Sequence, residues 1–156
     1  MDKALSYMQY ALEQAKQAFL ADEVPIGAVV VNPISGEIVA EAHNMSEHGA
    51  DATAHAEILA MQQACAKLKQ KRLWDMDLYV TLEPCTMCAA AISFARINHL
   101  FFGAYDEKGG AVANGVRFYH QQTCHHRPQV TGGILEQECA KLLKDFFQNK
   151  RHPKED

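Results

Sequence analysis

The chain has 156 residues, 48% of them hydrophobic and 22% charged, which suits one compact domain with a real core and excludes gross disorder. No apolar run approaches the ~20 residues that span a bilayer. The start, Met1-Asp2-Lys3-Ala4-Leu5, lacks the basic-then-apolar pattern of a secretion signal, so a cytoplasmic protein is expected. A formal net charge of −4 counts mildly against a nucleic-acid partner, since such binders are often basic overall.

Met8, Ala11, Leu12, Ala15, Ala18 and Phe19 recur at helical spacing and predict an amphipathic first helix. Pro25 and Gly27 open a β-rich run, Ile26 to Val31. Asn32, Pro33, Ser35 and Gly36 form a turn, and Glu37 to Ala42 completes a hairpin. A second helix is expected to begin near Thr53 to His55, with Ile58, Leu59, Met61, Cys65 and Leu68 as its buried stripe. Leu78 to Leu82 reads as a short buried strand. Pro84 suits the first turn of the helix that follows, through Ala89, Ala90 and Ile92 towards Ala95. Another strand is expected at about Asn98 to Gly103. The polar, glycine-containing stretch Ala104 to Gln129 reads as loop or short helix. Leu135, Cys139, Leu142, Leu143, Phe146 and Phe147 share one face of the last helix. No repeat or linker interrupts the sequence. The chain is therefore read as one domain, 1–156, with a flexible basic tail at 150–156. Strands alternating with helices predict a three-layer α/β/α sandwich.

Five cysteines, two of them in a Cys-x-x-Cys, favour metal or redox use over a disulfide framework. Cys65 and Cys139 fall on apolar helix faces and read as small buried hydrophobes. Cys124 lies in a polar loop and reads as an exposed thiol. The chemistry sits in His55-Ala56-Glu57 and Pro84-Cys85-Thr86-Met87-Cys88. A lone Cys-x-x-Cys fits a redox pair or half of a structural zinc site equally well, and a lone His-x-Glu occurs by chance on many helices. Together and in this order they match the signature of zinc-dependent nucleobase deaminases. On a helical turn the sulfurs of Cys85 and Cys88 project from nearly the same side. A helix begun at Pro84 would set both at its positive end, which favours thiolates.

With His55 they make three protein ligands for one zinc ion per chain, leaving a fourth position for water, as a catalytic site requires. Zinc lowers the pKa of such a water from ~16 to ~7. Glu57, two residues past the histidine, would take the water's proton and deliver it to the ring nitrogen and then to departing ammonia. His125 and His126 are adjacent, point apart, and read as loop or substrate-contact residues; His43 reads as a strand end. Lys150, Arg151 and Lys154, and likewise Arg117 and Arg127, suit either solvated segments or phosphate contacts.

The runs Thr53-Ala54-His55-Ala56-Glu57-Ile58 and Leu78-Tyr79-Val80-Thr81-Leu82-Glu83-Pro84-Cys85, with the ending Leu142 to Phe147, resemble the bacterial tRNA adenosine deaminase family. Glu23 to Val29 and Phe102-Gly103-Ala104-Tyr105-Asp106 carry the same likeness, which covers nearly the whole chain. The resemblance implies a cytidine deaminase-like fold with a mixed central sheet of about five strands. It implies zinc at His55, Cys85 and Cys88, a proton shuttle at Glu57 and a base-contacting amide at Asn44. It further implies conversion of the wobble adenosine to inosine in a tRNA anticodon loop, whose splayed bases are cheap to place in a pocket. A homodimer packed through residues such as Met87, Ala89, Ala90 and Ile92 is implied too, although an internal core explains those residues equally well. The chain departs from the family at Met45-Ser46, Ala52, Ala113-Asn114-Gly115 and His125-His126. The alternatives are a free-base or nucleoside deaminase, such as guanine deaminase, and a non-catalytic zinc-stabilised RNA-binding subunit.

Overall fold

The computed structural model describes residues 2–151. Four helices and five strands follow one another as α1 (Asp2–Leu20), β1 (Gly27–Val31), β2 (Ile38–His43), α2 (Ala56–Leu68), β3 (Asp77–Leu82), α3 (Thr86–Ala95), β4 (His99–Ala104), β5 (Gln129–Thr131) and α4 (Glu136–Arg151). The strands form one mixed sheet in the order β2-β1-β3-β4-β5. β1 pairs antiparallel with β2 and with β3, whereas β3–β4 and β4–β5 are parallel.

Alternation along β1 sorts the core. Ala28 and Val30 face the layer of α2 and α3, while Val29 and Val31 face α1, as a period of two requires. Leu78, Val80, Leu100 and Phe102 extend the first cluster; Met8, Ala11, Tyr79 and Cys139 belong to the second. The result is the expected α/β/α sandwich. At Gly27 the strand meets α1 so closely that a Cβ would collide with Ala11 O and Ala15 N, which explains why this strand opens on glycine.

Several sequence expectations are corrected. The second helix buries Ala56, Ala60, Met61 and Ala64 against the sheet, while Ile58, Leu59, Cys65 and Leu68 are only partly buried. Alanines allow close approach of helix to sheet, so the bulky residues rotate to the flanks. Pro84 lies ahead of α3, whose N-cap is Cys85. The sheet has the five strands expected; periodicity marks only four of them, and the fifth, β5, is short and defined by its pairing with β4. Cys124 is buried, its thiol donating to the His126 carbonyl at 3.1 Å. Leu135 precedes α4 with φ 55°. α4 reaches Arg151, and Lys150 pairs with Asp22 at 2.6 Å rather than starting a free tail; residues 152–156 lie outside the described residues.

Candidate active site

Two helix starts converge beside the C-terminal ends of β3 and β4, where open α/β sheets form crevices. His55 is the N-cap of α2 and Cys85 the N-cap of α3, both in extended conformation and neither making a side-chain cap. Ser, Thr or Asp would suit those positions better by roughly 1 kcal/mol each. Their replacement by metal-binding side chains is the kind of local conflict that marks a functional position.

His55 Nδ1 lies 3.7 Å from Cys85 Sγ and 3.5 Å from Cys88 Sγ. A tetrahedral ion at about 2.0 Å from nitrogen and about 2.3 Å from sulfur sets N···S edges of roughly 3.6 Å. The donor set therefore fits a metal ion without rearrangement. Among the described residues these three form the only His/Cys/Asp/Glu group with such spacing.

The two thiols divide their protons unequally. A hydrogen bond from Cys88, opposed by burial and aided by His55, brings Cys85 down to about 4. Cys88 is pushed well up by the Cys85 sulfur and by burial. The Cys85 sulfur also raises His55. A bound cation would take the place of the proton Cys88 holds.

Glu57, in the first turn of α2, is 4% exposed, and burial pushes its carboxyl up to about 7. Asn44 follows β2 and is buried; its backbone N–H donates to Ile26 O at 3.0 Å and its Nδ2 to Ser46 Oγ at 3.4 Å. His55, Cys85, Glu57 and Asn44 line one cavity of about 330 Å3, at the small end of the range for ligand pockets. A larger depression, about 430 Å3, lies between α1 and α4 around Gln9, Tyr10 and Glu13; it holds no metal-ligand cluster and stands apart from these residues.

Other walls were not legible as site residues. Leu143 and Phe147 reach the cavity from α4, while Cys139 and Phe146 of the same helix are buried. The single apolar face expected of α4 thus divides between core and cavity. Val24 and Ile26 complete the apolar side, and Asp106 and Gly109 the opposite rim. Asp106 Oδ1 accepts from the Lys108 and Gly109 amides, closing a turn within the stretch that the sequence marks only as loop or short helix.

His125 and His126 are absent from the cavity lining. His126 Nε2 bonds Ile97 O at 2.7 Å, and its ring meets the edge of Trp74. His43 ends β2. Arg117 and Arg127 bond loop carbonyls at Ala113, Tyr119 and Gln121. Of the apolar residues on α3, Ala89 and Ile92 are fully buried in the core, so they are unavailable to a partner.

The MafB19-like deaminase family model matches residues 1–151. A tRNA-specific adenosine deaminase of Agrobacterium fabrum is 54% identical over 151 residues, covering 97% of this chain and 98% of that protein. A solved structure from work on A-to-I editing by tRNA:A34 deaminases at the wobble position superposes with a TM-score of 0.86. It is 55% identical, covering 88% of this chain and 99% of that one. A guanine deaminase from Nitrosomonas europaea superposes with a TM-score of 0.76 at 26% identity, covering 91% and 83%.

Proposed function

The chain belongs to the family of bacterial tRNA-specific adenosine deaminases, and from that premise we propose zinc-dependent hydrolysis of adenosine to inosine at the wobble position of tRNA. The observation that carries this reading is one cavity lined by a His/Cys metal cluster, a buried carboxyl and a buried amide. His55, Cys85 and Cys88 would hold the zinc, one ion per chain. When bound, it supplies Lewis acidity that lowers the pKa of water from ~16 to ~7.

Glu57 carries the proton. Its position in the cavity wall lets the carboxylate take one proton from water and give it to the ring nitrogen, then take the remaining proton of the added hydroxyl and give it to the amine, which leaves as ammonia. Burial holds its carboxyl at about 7, where both directions of transfer cost little near neutrality. Asn44 orients the base: Nδ2 gives one hydrogen to Ser46 Oγ, which leaves Oδ1 to accept from the base edge and the second Nδ2 hydrogen to donate to it. Val24, Ile26 and Leu143 shape the apolar part of the pocket. Phe147, 45% exposed at its mouth, offers an aromatic face to an unstacked base.

The proposal extends to the whole chain working as one cytoplasmic deaminase domain and as a homodimer. Dimerisation draws support from a groove of about 340 Å3 between α2 and α3, where Ile58, Met61, Cys65, Ala91 and Ala95 form the apolar floor and Gln62 and Lys71 the polar edge. Among the described residues no helix is long and apolar enough to cross a membrane.

Guanine deamination is the competing reading, favoured by the likeness to the Nitrosomonas structure; twice the identity to tRNA deaminases weighs against it. Incubating the protein with an anticodon stem-loop, adenosine, guanine and cytidine, and following inosine and ammonia, separates the two. Inosine in the stem-loop is expected. Ammonia from guanine with the RNA untouched would replace this reading with the other.

A further inference from the structure

We propose that Glu83 is a positioning residue that fixes the substrate-side wall of the cavity, acting through the loop 106–114 and taking no part in chemistry or metal binding. This deepens the proposed function and rests on it. Glu83 is 2% exposed and sits between β3 and the Cys85 ligand, where a second catalytic carboxyl would also be sought. Its hydrogen bonds exclude that role. Oε1 accepts from the Asp106 amide at 3.0 Å and from Asn114 Nδ2 at 2.8 Å. Oε2 accepts from the amides of Val112, Ala113 and Asn114 at 3.1, 2.9 and 3.0 Å.

A carboxylate offers about four acceptor directions, so five donors saturate it and leave nothing for a substrate. What the five bonds fix is the loop. Asp106 and Gly109 of that loop line the cavity, and the Ala111 amide ties it back to Pro84 O at 2.9 Å. Gly110 packs so tightly on this arrangement that a Cβ would lie 2.5 Å from Glu83 Oε2 and from Asp106 O. Asn114 supplies one of the five donors from its side chain.

Glu83→Gln replaces one acceptor oxygen by an NH2 facing N–H groups, which must turn the loop away. Steady-state kinetics on the anticodon stem-loop, with zinc content measured on the same sample, tests the assignment. The expected result is KM raised roughly tenfold to a hundredfold, with kcat within about threefold and zinc stoichiometry unchanged. Faster hydrogen exchange at the amides of 106 and 112–114 should accompany it. Asn114→Ala, which removes one donor of five, should show the same signature at reduced size and stands in if the glutamine variant does not fold. An unchanged KM overturns the proposal, as does a fall in kcat alone or a loss of zinc. If the wild-type chain leaves the stem-loop untouched, the proposed function falls instead. The loop assignment is then decided by hydrogen exchange in Glu83→Gln, where unaltered protection would overturn it.

Discussion

Glu57 carries opposite consequences for stability and for catalysis. Its carboxyl is 4% exposed and held at about 7 by burial, against an ordinary value of 4.5. Below about pH 4.5 it is neutral whether the chain is folded or not and costs nothing. As pH rises towards 7 the unfolded chain loses its proton while the folded one keeps it, so stability falls, by about 3 kcal/mol once both are ionised. Glu57→Gln removes that cost. The metal-depleted variant should therefore unfold at higher urea than metal-depleted wild type at pH 8, and at equal urea near pH 4. In the zinc-loaded variant, inosine formation should fall at least about a hundredfold while metal content stays full. Normal turnover there would remove the proton-carrying role.

At the level of elements, the helix α2 separates two kinds of contact that its sequence runs together. Ala60 is fully buried against the sheet, whereas Ile58 is only partly buried and lines the groove towards α3. Ala60→Leu overfills a closely packed layer and should cost about 1–3 kcal/mol, lowering Tm by several degrees in a thermal melt. Ile58→Ala should leave the monomer's Tm within about 2 °C and weaken self-association in sedimentation equilibrium. If both variants shift Tm alike and association is unmoved, the groove is ordinary surface. Of the stripe expected on this helix, Met61 is buried while Ile58, Leu59, Cys65 and Leu68 are only partly so. Hydrophobicity ranks Ile58 and Leu59 above alanine, but the distance between helix and sheet is set by the smallest side chains.

For the whole molecule, the metal cluster joins two helices whose ligands are 30 and 33 residues apart in sequence. Binding an ion there should stabilise the native arrangement alone. An ion held at 1,000 times its dissociation constant contributes about 4 kcal/mol, so chelation should lower Tm on the order of 10 °C. Added zinc should reverse this in wild type but not in Cys88→Ala. Full metal stoichiometry in Cys88→Ala after dialysis would count against that ligand.

The sequence by itself determined the ligand types, their spacing and the carboxyl beside them, because each motif lies within five residues and a single helix start presents it. It determined most elements too, since periodicity reports which residues share a face. Tertiary structure alone decided what each face meets. Phe147 and Phe146 are neighbours, yet one lines the cavity and the other is buried. β5 is a strand because β4 offers it an edge, and Glu83 anchors a wall built from residues 23 to 31 positions away. Periodicity is a local property of the chain. Cavity walls, strand edges and saturated carboxylates are made by contacts across it, and so emerge only when the layers are assembled.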